Sequence, residues 1–378
     1  MGWSQRILKD ERTLQSLEFC LNMQYSAAIM ASTKQRQSRP KKQEKKPAKK
    51  EKWNAPTSFL KGKTVLVTGG TGTFGRAFIK QLLTFSEVSK VIVFSRDELK
   101  QSELAAHYRT EPRLRFFIGD VRDAERLKLA FDGVDIVVHA AALKRVESVE
   151  YNPFEAIQTN IIGSKNVIDA ALYKKVSKVL LISSDKAVEP INLYGATKMV
   201  AEKLFIAANV YAGKTGTACS VVRYGNVVGS RGSFVELIER QKETGVITVT
   251  HHHMTRFWIR VDHVMEFVFE ALSLMQGGET FVPKIKNMPV IDVVKLLAPS
   301  CKIQVIGMRP GEKLHEILLT KYETKQTYEL PRMFSIIPVG RKTTWLKDHS
   351  LVAEDFTYSS DNVQFLLSSD EAAEFFKI

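Results

Sequence analysis

The stretch KTVLVTGGTGTFGRAFIKQLLTF, residues 63–85, decides the fold. It begins with a short apolar, β-branched run, Thr64 to Thr68, that does not alternate with polar residues. Such a run is a strand buried on both faces, as parallel sheets contain. The run breaks into glycines at 69, 72 and 75 and then into the helical stretch RAFIKQLLTF. Strand, glycine loop and helix in that order make a dinucleotide loop. Gly69 permits the tight turn, Gly72 lets a pyrophosphate approach the backbone, and Gly75 allows helix and strand to pack. The pyrophosphate then sits on the helix N-terminus, where N–H groups and the dipole favour an anion. Thr71, Thr73 and Phe74 belong to the same loop and are expected to touch the cofactor.

The theme repeats outward from this point. KVIVFS (90–95), LRFFIGD (114–120), VDIVVHAAA (134–142), VSKVLLISS (176–184) and ACSVVRYGN (218–226) are apolar strands with helical segments between them. Repeated β-α-β units predict an α/β protein: a Rossmann-like, doubly wound parallel sheet. Past about residue 230 the order loosens into shorter strands, two or three helices, and loops carrying HHHMTRF and RPGEKLHE. The expectation is a cofactor-binding domain over 58–230. A smaller, discontinuous substrate-binding lobe over 231–378 would close over the strand ends.

The 378-residue chain carries a net charge of +14, which by itself suggests a nucleic-acid partner. Its distribution argues otherwise. Lys34 to Lys52 holds ten basic and two acidic residues, a net +8 of the total. Residues 1–57 are read as a disordered basic extension, because the Lys/Pro/Gln run cannot bury enough surface to offset its ordering entropy. Such a tail can attract a polyanion, membrane or nucleic acid. The segment lacks a secretory signal's apolar core, and Asp10, Glu11 and Glu18 argue against a transit peptide. Met30 is an alternative start. No apolar run reaches the length of a transmembrane helix. Three distant cysteines, Cys20, Cys219 and Cys301, argue against a disulfide framework and for a reducing, cytoplasmic compartment.

At the end of the second strand, FSRDELK, an NAD site would place an acidic side chain against the ribose 2′-hydroxyl. This chain offers Ser95 and Arg96 first, with Lys100 nearby. Cations and a hydroxyl suit a 2′-phosphate, so NADP is expected, with Asp97 as the residue that would suit NAD. Asp120 and Val121 are placed to meet the adenine. Ala140, Ala141 and Lys144 should line the cofactor and the adjoining pocket.

Tyr194 and Lys198 form Y-x-x-x-K, i and i+4 on one helix face. A free tyrosine has a pKa of about 10 and is a poor base. A lysine cation one turn away, with the positive nicotinamide, would stabilise the phenolate. Tyr194 then takes a proton from a substrate hydroxyl while hydride leaves.

Taken together, TGGTGTFG, FSRDELK, HAAALKRVESVEYNPFEAIQTN, SSDKAVEPINLYGATK, RYGNVVGSRGS, MTRFW, RPGEKLHE and FTYSSDN resemble a known family in content and order. The chain is similar, over residues 58–378, to the extended short-chain dehydrogenases/reductases. Within them it resembles the inverting UDP-N-acetylglucosamine 4,6-dehydratases. The resemblance gives Asp185 and Lys186 roles. After oxidation at carbon 4 of the sugar, Lys186 takes the carbon 5 proton and Asp185 protonates the departing carbon 6 hydroxyl. Hydride then returns to carbon 6, and a proton reaches carbon 5 from the opposite face. Retaining relatives use an aspartate–glutamate pair, so a lysine fits the inverting type. Ser184 stands where the family often has threonine, and keeps a hydroxyl for the carbon 4 oxygen. A lysine base must be neutral, against a free value of about 10.4. Burial, Lys198 and the cofactor's charge would lower it and an ionised Asp185 would raise it. Asp185 is therefore expected to be protonated when Lys186 is neutral.

Arginines match a nucleotide diphosphate, making Arg256 and Arg309 candidates, with Glu312 for a ribose hydroxyl. The resemblance adds Asn226 and Arg231 to the donor pocket and Lys144 near the sugar. It also implies a homo-oligomer formed through helices flanking the sheet. Three adjacent histidines, 251–253, cannot easily converge on one ion, so no metal is expected. Two other functions fit parts of the sequence. A nucleotide-sugar 4-epimerase needs the tyrosine and lysine but not Asp185–Lys186. A non-catalytic NADP-binding sensor using the basic tail would need neither pair.

Overall fold

A computed structural model describes residues 55–376 apart from Arg231 and Lys342. The basic stretch 34–52, Cys20 and Met30 lie outside the described residues. Ala55 is already buried in the core, slightly ahead of the boundary drawn at 57.

The six apolar runs become β1 (Thr64–Thr68), β2 (Lys90–Ser95), β3 (Leu114–Ile118), β4 (Ile136–His139), β5 (Lys178–Ile182) and β6 (Ala218–Val222). They pair in parallel in the order 3-2-1-4-5-6. This is the doubly wound order, with its reversal between β1 and β4, where a ligand crevice opens at the strands' carboxyl ends. Every residue of β1 and β4 is buried, whereas β3 at the edge buries only Leu114. The runs are apolar throughout because both faces are covered. Val65 and Val67 pack with Phe78, Ile79 and Leu82 on one side; Leu66 packs with Val167, Ile168 and Phe205 on the other.

The later strands are β7 (Asn226–Val228), β8 (Val246–Val249), β9 (Thr255–Arg260), β10 (Thr280–Pro283), β11 (Lys286–Pro289), β12 (Lys302–Val305), β13 (Ile317–Leu319), β14 (Thr327–Glu329), β15 (Met333–Ile336) and β16 (Tyr358–Ser359). Three of them, β10, β15 and β14, extend the main sheet beyond β6 to nine strands. The small sheet β11-β9-β7 and the pairs β12-β8 and β13-β16 stand apart from it. A separate core of Val235, Ile238, Ile247, Trp258, Val293 and Phe376 holds this later part of the chain together.

Beyond residue 230 the described residues contain four α-helices, where two or three were expected: Phe234–Lys242, Val261–Leu274, Val290–Leu297 and Ser369–Phe375. The third, VIDVVKLL, is rich in β-branched residues and reads as strand. Its Val290, Val293 and Val294 fall at helical spacing and bury one face, so packing overrides propensity.

The chain turns a tight corner after β5. Ser183 and Ser184 lead into a short 3₁₀ turn, Asp185–Ala187, and then into the helix Leu193–Tyr211. A buried ion pair secures it. Arg223, just past β6, donates to both oxygens of Glu202 on that helix, at 3.2 and 2.7 Å. Ser183 Oγ donates to the same carboxylate at 2.5 Å, and Arg223 Nη1 reaches Leu318 O in β13 at 3.0 Å.

The helix also packs directly on the turn. A β-carbon on Gly195 would stand 2.1 Å from the carbonyl oxygen of Lys186. Gly195→Ala is therefore expected to force the helix off the turn and lower the unfolding free energy by about 1–3 kcal/mol, as overpacking does. Urea denaturation measures this, and an unchanged midpoint would show that the contact yields.

Candidate active site

A cleft of about 600 Å³ opens at the carboxyl ends of the central strands. The glycine loop after β1 lines it with Gly69, Thr71, Gly72, Thr73, Phe74 and Gly75. Ser95, Arg96 and Lys100 come from the end of β2, Asp120 and Val121 from β3, and Ala140, Ala141 and Lys144 from β4. Ser184, Tyr194 and Lys198 close the far end.

The loop is held in a shape that accepts an anion. Gly69 has φ +66°, and a β-carbon there would lie 2.9 Å from Ala141 backbone atoms. Gly72 caps the helix Thr73–Phe85 and has no side chain to turn back on its first N–H groups. Thr71 Oγ1 and Ser95 Oγ are 2.9 Å apart, tying the loop to β2. Arg76 Nε donates to Thr71 O at 3.1 Å. A close-packed glycine cradle beside an uncapped helix start fits a dinucleotide.

The charges at β2 sort themselves. Asp97 caps the helix Glu98–His107, accepting from Lys100 N at 3.0 Å, and its second oxygen pairs with Lys100 Nζ. These bonds hold the Asp97 carboxyl below its usual range. Lys100, expected to meet a phosphate, is thus engaged with Asp97. Arg96 remains at the rim, about half exposed, 3.5 Å from Asp120 Oδ2.

Tyr194 and Lys198 lie one turn apart in the helix, as the spacing requires. Their electrostatics differ from expectation. Lys198 Nζ donates to Ile182 O at 2.6 Å, and burial, only partly opposed by Glu202, lowers its pKa to about 8. Burial raises the Tyr194 phenol; Lys186 and a hydrogen bond with Ser184 pull the other way, and the net shift is up. Among the side chains, Lys186 is the cation that pulls the Tyr194 phenol down.

Asp185, Lys186, Asn226, Arg256, Arg309 and Glu312 do not line the cleft. Four of them gather beside it. Lys186 Nζ lies 3.1 Å from Asp185 Oδ1 and 3.2 Å from Glu316 Oε1. Arg256 Nε is 4.0 Å from Glu316, and its Nη2 is 3.6 Å from Glu312 Oε1. Lys313 Nζ stands 3.9 Å from the other Glu316 oxygen. Ser184 Oγ donates to Asp185 Oδ1 at 2.8 Å. Asp185 Oδ2 and Glu316 Oε2 are buried without a hydrogen-bond partner among the described residues.

Burial raises the Asp185 carboxyl against the pull of Lys186. Burial would lower the Lys186 ammonium, but Asp185 and Glu316 outweigh it and the shift is up. Asp185 was foreseen as a group that would raise the lysine; Glu316, the second, was not. Lys186 and Arg256, with Lys313, keep Glu316 ionised despite its burial.

The rest of the candidate residues are placed as follows. Asn226 opens β7 opposite Trp258 of β9. Arg309 is half exposed; its Nη1 pairs with Glu147 at 2.9 Å, and its backbone N donates to Glu312 Oε2 at 3.2 Å. Arg231 lies outside the described residues. Asn192 caps the helix of Tyr194 through Gly195 N at 2.8 Å, and its amide donates to Gly311 O at 2.8 Å. Three of the late motifs converge here: Glu316 N donates to Ser360 Oγ at 2.9 Å, which meets Thr255 Oγ1 at 2.7 Å. His251 and His253 rings lie 5.7 Å apart, and no group of three His, Cys, Asp or Glu among the described residues is placed to hold a metal. No helix among them is long and apolar enough to cross a membrane.

A doubly wound sheet, a glycine-rich loop and a Tyr–Lys helix at the far end of one cleft define a short-chain dehydrogenase/reductase architecture. The chain belongs to the polysaccharide biosynthesis protein family, whose model matches residues 65–338. It is 45% identical over 323 residues to UDP-N-acetylglucosamine 4,6-dehydratase (inverting) of Campylobacter jejuni subsp. jejuni serotype O:2, covering 82% of this chain and 96% of that one. A UDP-glucose 4-epimerase of Rickettsia akari is 38% identical, covering 75% and 86%. Among solved structures, Pen from Bacillus thuringiensis superposes with a TM-score of 0.78 at 40% identity, covering 84% of this chain and 97% of that one.

Lys198 carries a pH signature that needs no substrate. Its folded pKa of about 8 lies below its ordinary 10.5, so between these values the unfolded chain binds more protons. Its contribution to unfolding free energy therefore rises with pH across that window, by at most about 1.4 kcal/mol per pH unit. Denaturation of wild type and Lys198→Met should differ by this slope, and parallel curves would refute the assignment.

Proposed function

We propose that the protein dehydrates UDP-N-acetylglucosamine across carbons 4 and 6 and inverts carbon 5, using NADP. The observation that carries this reading is the Lys186–Asp185 contact at 3.1 Å, one residue past Ser184 and within electrostatic reach of Tyr194. A proton acceptor and a proton donor side by side serve an elimination. The relatives named as inverting dehydratases support the same substrate and outcome.

The glycine loop holds the cofactor's pyrophosphate, Asp120 and Val121 its adenine, and Arg96 its 2′-phosphate. Asp97, occupied by its cap and by Lys100, is not disposed to receive a ribose hydroxyl. NADP, when bound, accepts hydride from carbon 4 and returns it at carbon 6. Tyr194 removes the carbon 4 hydroxyl proton, steadied by Ser184. Lys186 removes the carbon 5 proton after losing its own, and Asp185, its carboxyl raised by burial, donates to the departing carbon 6 hydroxyl. Arg256 and Arg309 answer the diphosphate, Glu312 a ribose hydroxyl, Asn226 and Arg231 the donor pocket, and Lys144 the sugar. The product is a UDP-4-keto-6-deoxy-L-arabino-hexosamine for glycan assembly.

Purified protein incubated with UDP-N-acetylglucosamine in heavy water should lose one water by mass spectrometry and gain deuterium at carbon 5. Lys186→Ala should abolish water loss while still binding NADP. Interconversion of the 4-hydroxyl without water loss would identify a 4-epimerase instead, as the Rickettsia relatives are named. Cofactor choice has its own measurement. Arg96→Ser should weaken NADP binding about ten- to a hundredfold, the worth of a charge-assisted hydrogen bond, and leave NAD little changed. An equal loss for both cofactors in a fluorescence titration would remove Arg96 from the 2′-phosphate.

A further inference from the structure

Lys186 is gripped from two sides by carboxylates that come from distant parts of the chain. Asp185 is its neighbour in the turn; Glu316 arrives just ahead of β13, 3.2 Å from Nζ. Glu316 is almost wholly buried, yet it is not an incidental partner. Its backbone is fixed on both sides by Ser360, whose N–H donates to Glu316 O at 2.8 Å and whose hydroxyl accepts from Glu316 N at 2.9 Å. Its second oxygen is buried without a hydrogen-bond partner among the described residues. Lys186 is nearer to this carboxylate than Arg256 or Lys313, at 3.2 Å against 4.0 and 3.9 Å, and a buried carboxylate with an oxygen left unbonded is costly to keep unless a nearby cation needs it.

We propose that Glu316 is a positioning residue for the elimination chemistry, the second anchor that fixes the Lys186 amine and holds it as the ammonium ion. The other charges around Lys186 do not replace it. Tyr194, on the helix that follows, is neutral at ordinary pH, and burial raises its phenol further. Arg256 from β9 and Lys313 from the loop before β13 are cations that disfavour the ammonium, and Glu312 faces Arg256. Asp185, the other carboxylate, also favours the ammonium, but burial raises its carboxyl, whereas Glu316 is held below its usual range. Glu316 is thus the second anion, added to Asp185, that holds the charge of the base. Removing that anion should free the amine at lower pH.

The test reads the amine directly. Wild type, Glu316→Gln and Glu316→Asp are treated with an amine-acylating reagent over a range of pH, and Lys186 modification is followed by peptide mass spectrometry. In wild type the midpoint of labelling should lie above that of lysine in a small peptide. Glu316→Gln should raise the Lys186 labelling rate at neutral pH about tenfold or more, one pKa unit being tenfold. Glu316→Asp, which keeps the charge, should stay near wild type. In turnover, the alkaline rise of dehydration should move to lower pH in Glu316→Gln by a unit or more. Unchanged Lys186 labelling in a Gln variant that binds NADP and unfolds like wild type would overturn the proposal, as would a wild-type midpoint at or below the small-peptide value. The role rests on the dehydratase reading, but labelling needs no turnover. Wild type that fails to dehydrate UDP-N-acetylglucosamine would sink the activity and leave Glu316 to be decided by the labelling.

Discussion

The buried pair between Glu202 and Arg223 is the interaction on which the site's geometry hangs. Glu202 sits one turn beyond Lys198, so its carboxylate fixes the rotation of the helix that presents Tyr194. The same carboxylate takes the Ser183 hydroxyl at 2.5 Å, locking the end of β5 where the elimination turn begins. Arg223 carries the connection onward to Leu318 O and to Glu323 at 3.1 Å, and so to the strand that follows Glu316. Breaking such a pair from one side typically costs about 3–5 kcal/mol, because the remaining charge is left buried. Here the cost would fall on the cleft as well, since the helix of Tyr194, the Asp185–Ala187 turn and the strand after Glu316 all meet at it.

The sequence is most legible where function depends on neighbours in the chain. The glycine loop, the six parallel strands and the Tyr194–Lys198 spacing are local patterns, and each appears in the structure where its period demands. The Asp185–Lys186 pair is legible for the same reason. What could not be read are contacts that topology alone creates. Glu316 is 130 residues from Lys186, and nothing in RPGEKLHE distinguishes its second glutamate from a surface residue. The signal that might have found it is the recurrence of compact polar motifs late in the chain, MTRFW, RPGEKLHE and FTYSSDN, which all meet at Thr255, Glu316 and Ser360.

Charge was harder to read than position. Lys198 is where the spacing puts it, but its ammonium has a backbone carbonyl to satisfy, and burial costs it charge. Lys100 is near the cofactor cleft, but Asp97 holds it first. Arg309 pairs with Glu147 across the loop after β4. In each case a residue type suited to the ligand is claimed by a closer partner that only the folded chain reveals.

Asn192 has a consequence for how this fold can be altered. Its side-chain oxygen caps the helix of Tyr194 while its amide grips the backbone at Gly311. One side chain therefore joins the first turn of the catalytic helix to the loop carrying Arg309 and Glu312, like a pin through two plates. A loop grafted from a relative to change sugar preference would inherit the grip only if its backbone carbonyl met the same amide. Specificity and the redox helix cannot be exchanged as separate modules; the pin has to travel with either.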